Sequence, residues 1–262
     1  MYNALIKQFK LAQATAADAY RAVASAEISL FPGFEDYERA TRSRHEFKVE
    51  REFTKFCVDL SEVVVRVARR EVAPVGTRIE IDRDAELKAA GIDIRESIQS
   101  GTTPDLDAFW SHLEKKFSGD AGASIAYQQA AKAIIDGLWL KPTTEMKRTN
   151  SGIVIEAPVG SEASFSSSGW RRVSYYSQSR VAGLVTGLTT FAAKSGCTAL
   201  AGELRHCRLV SDEYRSRDKE SLTGLEIVRY NDKWQFKFAH AIGDALSIFI
   251  SEFGAEYLAV RG

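Results

Sequence analysis

The stretch from Leu222 to Gly262 constrains the fold more than any other. Leu225, Ile227 and Arg229 alternate with Glu226, Val228 and Tyr230. After Asn231-Asp232, Trp234, Phe236 and Phe238 alternate with Lys233, Gln235 and Lys237. Successive strand side chains point to opposite faces, so a period of two on both sides of a two-residue connection predicts a β-hairpin. Asn and Asp tolerate the positive φ of a type I′ turn, the geometry expected of so short a loop. Ile242, Ala245, Leu246, Phe249, Ile250 and Phe253 then recur at helical spacing, predicting an amphipathic helix. Trp234, Phe236 and Phe238 are expected to face inward, with Lys233, Gln235 and Lys237 toward solvent. The pattern sets the class as α+β.

Upstream the periodicity is helical. Leu5, Phe9, Ala12, Ala16, Tyr20 and Val23 line one face of a helix that Pro32-Gly33 stops. Phe53, Phe56, Cys57, Leu60, Val63, Val64 and Val67 form the clearest apolar stripe, predicting a long helix over 37–72 with a break near 41–44. Its charged first half, Tyr37 to Arg51, is expected to project or to bundle, and makes self-association or a protein partner an expectation. A short strand is predicted at 78–81 and a helix at 85–97. Thr103 is the expected N-cap of the next helix, with Pro104 at its first position and Leu106, Phe109, Trp110, Leu113 and Phe117 on its buried face. Gly119 to Gly122 reads as a break before a helix over 123–140. From Asn150 the pattern changes. Strands are predicted at 152–156 and 170–176 around a polar loop, then helices at 177–194 and 198–210 and a charged loop at 212–221. The expected whole is helix-rich α+β with a small, mostly antiparallel sheet in the C-terminal half. It divides into a helical half (1–145) and an α+β half (146–262), or forms one continuous domain.

Thirty-five basic residues balance thirty-five acidic ones. No global field therefore draws the chain to nucleic acid or to an anionic membrane, although a local basic patch is compatible with the balance. Cys57, Cys197 and Cys207 lack the spacing of a disulfide framework, which fits a reducing compartment. With neither a secretory leader nor an apolar run of membrane-spanning length, the expectation is a cytoplasmic protein without membrane contact.

Three segments, in order, resemble a bacterial family of the DUF4942 type, carried by plasmids, phages and some DNA-methyltransferase-like proteins. These are the aromatic-led pair of helical segments from Phe109 to Leu138, the basic turn and strand Lys147-Arg148-Thr149-Asn150-Ser151-Gly152-Ile153-Val154-Ile155, and the hairpin with its helix from Gly224 to Leu258. Together they cover about half of the chain. The resemblance implies a mobile-element setting, as a phage or plasmid accessory protein. The chain has no Pro-Pro pair and no Gly-bearing donor loop at a strand end, so it does not read as the catalytic part of an amino-methyltransferase.

Residues with chemical potential fall short of a catalytic signature. Cys197, His206 and Cys207 lack the closely spaced ligand pairs of structural zinc. His45 sits among charges, and His112 and His240 flank apolar runs, none near a recognisable nucleophile. Pro104-Asp105 with Glu114-Lys115-Lys116 matches the outline of a PD…ExK nuclease, but both pieces fall on one predicted helix instead of converging on a metal from a strand. The loop from Gly160 to Gly169 has no Walker lysine. Neither a cofactor nor a metal is called for. What remains is the run from Trp170 to Arg180. Arg171, Arg172 and Arg180, with Trp170, Tyr175 and Tyr176 and no acidic residue, are the chemistry that grips single-stranded nucleic acid or phosphate. Lys147 and Arg148 extend this patch if their strand pairs with the one at 170–176. The expected function is a non-enzymatic binding or regulatory protein working through protein and nucleic-acid contacts. The alternative is a metal-dependent enzyme that processes nucleic acid.

Overall fold

The computed structural model describes residues 1–35, 37–41, 45–72, 78–144, 146–164 and 168–261. The backbone divides into two compact units: Met1–Val72 with Ile81–Lys116, and Ala73–Glu80 with Phe117–Gly262.

The first unit is helical. Helix α1 (Tyr2–Leu30) runs into a turn at Pro32-Gly33 and pairs with α2 (His45–Glu71). Phe9 stacks on Phe56 at 4.1 Å, Gln13 Nε2 donates to the Val49 carbonyl, and the Glu27 carboxylate accepts from the Ala40 and Thr41 amides. Phe53, Cys57, Leu60, Val64 and Ala68 form the buried stripe of α2. The long predicted helix thus begins at His45, and Thr41 is held by Glu27 outside it; residues 42–44 lie outside the described residues. The helix expected at 85–97 is two: α3 (Arg83–Ala89) and α4 (Ile94–Gln99), separated at Gly91. Each begins at an aspartate cap, Asp82 and Asp93, whose carboxylate accepts first-turn amides. Helix α5 (Leu106–Phe117) is capped by Asp105, which accepts from the Ala108 amide, and not by Thr103, whose hydroxyl accepts from Lys10. The Asp105 carboxylate of the nuclease outline is thereby committed to a helix cap. Lys116, the lysine of that outline, donates to the buried Glu86, which also meets His112 at 2.8 Å.

The second unit holds the sheet. Helix α6 (Gly119–Gly137) starts four residues before the predicted position. Gly119 takes φ +61, and a Cβ at Gly122 would lie 1.7 Å from the Phe117 carbonyl oxygen, so these glycines begin the helix instead of separating two. The segment expected as a strand at 78–81 makes no ladder; the Glu80 backbone is bonded by the Gln129 side-chain amide. Strands β1 (Lys147–Thr149), β2 (Gly152–Pro158), β3 (Ser161–Ala163) and β4 (Arg171–Val173) follow, then α7 (Tyr175–Lys194), α8 (Thr198–His206), β5 (Asp218–Leu222), β6 (Leu225–Arg229), β7 (Lys233–Phe238), α9 (His240–Phe253) and α10 (Ala255–Ala259). Among the described residues these strands form an antiparallel five-stranded sheet, β1-β2-β7-β6-β5, and a separate pair, β3-β4. The fold is α+β, helix-rich, with its antiparallel sheet in the C-terminal half, as the hairpin pattern required.

The hairpin itself has the predicted register, Ile227 opposite Phe236 and Arg229 opposite Trp234. Asn231 and Asp232 connect the strands, but neither takes a positive φ, so the turn is not type I′. Its carbonyls are engaged instead: Asp232 O accepts from the Val159 amide and Asn231 O from the Ser161 hydroxyl. Trp234, Phe236 and Phe238 are buried together with Ile153, Ile155, Leu246, Phe249 and Ile250 in one core. Arg229 is the polar exception on that inner face, its guanidinium 4.9 Å over the ring of the buried Tyr214. On the outer face Glu226 pairs with Lys219 and Lys237, and Glu156 with Lys233 and Gln235. Hydrogen bonds from Lys237 and from Lys233 hold the Glu226 and Glu156 carboxyls below the usual range.

Candidate nucleic-acid interface

The structure redistributes the basic–aromatic run. Only Arg171 to Val173 is strand; Tyr175 and Tyr176, predicted on that strand, form the first turn of α7 after Ser174. The strand pairs with β3, not with β1 or β2, so Lys147 and Arg148 do not extend it. Register also separates those two. Lys147 lies opposite Val154 and Arg148 opposite the core residue Ile153, which places them on opposite faces of the sheet. Arg148 is ion-paired with Asp244 of α9.

Within β3-β4, Arg171 donates from Nε to the Ser161 hydroxyl at 2.7 Å and from Nη2 to the Ser161 carbonyl at 3.0 Å. Arg172 pairs with Glu162 at 2.9 Å. Trp170 carries the Arg215 guanidinium 5.0 Å from its ring centroid, a partner that lies outside the run. These three residues are therefore tied into local structure.

At the start of α7 the surroundings differ. Tyr175 is 77% exposed and Tyr176 92%, their rings edge to face at 5.8 Å. Arg180 follows Tyr176 by one helical turn, on the same face. It donates to the Pro158 carbonyl and stacks 5.3 Å over the ring of Trp139, an indole that is itself 50% exposed. Burial lowers the Arg180 pKa from its ordinary value, yet a guanidinium stays charged in a protein. Trp139 follows Leu138, the C-cap of α6, with φ +58, a left-handed position usually given to glycine. The ring also meets Arg261, 5.9 Å from the centroid, and Arg261 is anchored to Asp136 at 3.1 Å. Two arginines, each anchored elsewhere in the fold, thus converge on one indole.

Tyr175 heads a second face of α7. Seven and eleven residues on, Ala182 and Thr186 share that face and line a cavity of about 610 Å³. Arg78, Arg205 and Arg208 line it as well, with the hydroxyl-bearing Thr190 and Ser211. Arg78 pairs with Glu80 at 3.2 Å, while Arg208 makes no ion pair among the described residues. Cys207 also lines the cavity. Burial, then the Glu220 charge, raises its thiol pKa, so it is held protonated and is no nucleophile at neutral pH. Among the described residues, no group of three or more His, Cys, Asp or Glu side chains is placed to hold a metal ion. No helix among them is long and apolar enough to cross a membrane.

No protein-family model, curated protein or solved structure matches the chain. The reading of the site rests on its geometry. Tyr175, Tyr176 and Arg180 were singled out from the sequence, whereas Trp139, which the structure places against Arg180, and Arg205 and Arg208, which line the cavity, were not. Trp139 carried no signal, since Leu138-Trp139-Leu140 reads as continued core. Arg205 and Arg208 flank His206-Cys207, and their spacing around a helix end was the available clue.

Proposed function

We propose that this chain is a non-enzymatic binding protein that holds single-stranded nucleic acid on the start of α7. The carrying observation is the pair Tyr175 and Tyr176, almost wholly exposed, beside an arginine already stacked on an exposed indole. Large exposed aromatic rings have a hydration cost that bases relieve by stacking, and every base offers a π-face. Arginines and hydroxyls along the neighbouring cavity match a phosphate backbone leaving that platform. The phage or plasmid accessory setting is proposed with it and rests on the family resemblance alone.

The test is fluorescence anisotropy with labelled single-stranded and duplex oligonucleotides of random sequence. Single strands are expected to bind in preference to duplex. Replacing Tyr175 and Tyr176 together by alanine should weaken binding by about 10- to 100-fold, since one stacked base is worth roughly 1–3 kcal/mol. Arg171→Ala with Arg172→Ala is expected to have a smaller effect, because those side chains already serve Ser161 and Glu162. Absence of binding at low salt, or an unaffected double-tyrosine variant, would end the proposal. Magnesium-dependent cleavage of the probe, abolished by EDTA, would replace it with the enzyme reading.

A further inference from the structure

Helix α1 carries two apolar stripes, and α2 covers one of them. Beyond the first turn, Ile6, Phe9, Gln13, Ala17, Ala24 and Glu27 are the buried or half-buried positions, and Phe9, Gln13 and Glu27 meet α2 or the turn before it. The second stripe is Leu5, Ala12, Ala16, Ala19, Val23, Ala26 and Leu30, with Phe9 at its edge. Every one of these except Phe9 is exposed, Leu5 to 49%, Val23 to 58% and Leu30 to 72%. With Phe9 included, the spacing alternates four and three without a fault from Leu5 to Leu30, and no member is polar. That is the heptad seam of a coiled coil, about 38 Å long at 1.5 Å per residue. A surface helix that needs only one apolar stripe for its own fold has no use for such a seam in water.

We infer that α1 docks along this seam against α1 of a second copy of the chain, in antiparallel orientation. The pattern is self-complementary about the midpoint between Ala17 and Asp18: Leu5 meets Leu30, Ala12 meets Val23, and Ala16 meets Ala19 of the other copy. An isologous two-fold contact requires that reciprocity. Alanines at the centre allow the closest helix approach, near the lower end of the roughly 8–10 Å range. Charge selects the direction. From Tyr2 to Ala17 the helix has Lys7 and Lys10 and no acid; from Ala22 to Leu30 it has Glu27 and no base. Asp18 and Arg21 pair with one another at 2.6 Å. Glu27 is already engaged by Ala40 and Thr41, so the selection comes from the lysines and the dipoles: the antiparallel arrangement keeps Lys7 and Lys10 of the two copies apart and opposes the helix dipoles, whereas the parallel one brings the lysine-bearing thirds together. With α2 against the adjacent face of each α1, the product is a four-helix bundle of two helical hairpins.

Sedimentation equilibrium over roughly 1–100 μM tests this, because dimer population follows protomer concentration. The expected mass is twice the 29.0 kDa of the chain. Ala16 and Ala19 are exposed, so A16E with A19E should keep the helical circular dichroism. That variant should dissociate at least about tenfold more readily, because the carboxylates introduced on one copy oppose those of the other across the seam. A16K with A19E should dimerise again, since each ammonium group then faces a carboxylate of the other copy. A parallel dimer would instead juxtapose like charges. A wild-type mass of one chain throughout the range overturns the inference, as does a folded A16E/A19E dimer. An A16K/A19E protein that stays monomeric overturns the orientation.

Discussion

The Cys57 thiol is enclosed on the inner face of α2, and burial pushes it up to about 11 from the ordinary 9.0. A thiol is charged only when deprotonated, so the raised value means that the folded chain keeps this proton where the unfolded chain has lost it. Folded protein binds more protons between pH 9 and 11, and stability falls as pH rises through that window, by up to about 1.4 kcal/mol per pH unit from this one group. The first unit should show the loss in urea titrations followed by helical circular dichroism at stepped alkaline pH. Cys57→Ala should start lower, by the cavity it leaves, but have a shallower pH slope. An identical slope in both proteins would show that Cys57 is not its source. The same burial makes Cys57 resistant to alkylation while the fold persists. Trp139 poses the opposite residue-level case. It holds a left-handed φ that costs a residue with a Cβ roughly 1–2 kcal/mol, and its contacts with the Arg180 and Arg261 guanidiniums are the interactions that oppose this cost.

At the scale of elements, the contact between α6 and α7 is set by absent side chains. A Cβ on Gly187 would stand 2.8 Å from the Ala130 carbonyl oxygen and 3.0 Å from Ile134 Cγ1; one on Gly137 would stand 2.5 Å from Leu184 Cβ. Backbone cannot yield as a flexible side chain does, so Gly187→Ala should force the helices apart at a cost of about 1–3 kcal/mol. Gly183, one turn earlier on the same helix, meets nothing within 4 Å. Gly183→Ala should stabilise by about 0.4–1 kcal/mol through the entropy of the unfolded chain and the better helix propensity of alanine. Thermal melts of the pair should move in opposite directions, and a shared sign would refute the packing argument. The α7 helix was legible in the sequence, as were the β6-β7 register and the burial of Trp234, Phe236 and Phe238, because long segments with one buried face repeat their pattern several times. Strands β1, β3 and β5 were not. Three to five residues with burial set by neighbours leave too few repeats to read. Tyr175 and Tyr176 misled for a physical reason: aromatic residues favour strands, yet tertiary packing of Val181, Leu184 and Leu188 draws the chain into helix from Tyr175 onward. In the site, the tyrosines and Arg180 were visible as composition. Their assembly with Trp139 was not, because it depends on where α6 stops.

For the molecule as a whole, charge balance bears on how the proposed single strand would be held. Formal net charge is zero, and the lysines at 219, 233 and 237 on the open sheet face are paired with Glu226 and Glu156. A broad cationic surface is therefore missing among the described residues of that face, and under the proposed function phosphate neutralisation would be left to the few arginines around α7. Each phosphate contact on a single strand contributes roughly −0.7 to the slope of log affinity against log salt. About two to four such contacts predict a slope of roughly −1 to −3, far shallower than that of a basic duplex-binding protein. Stacking on Tyr175 and Tyr176 releases no counterions, so the double alanine variant should lower affinity at every salt concentration while leaving the slope unchanged. Arg208→Ala should do the reverse in part, making the slope shallower by about one contact. Anisotropy titrations of wild type and both variants at stepped salt separate these contributions. A wild-type slope steeper than about −5 would mean that binding runs over an extended basic surface, and the aromatic platform would then be incidental to it.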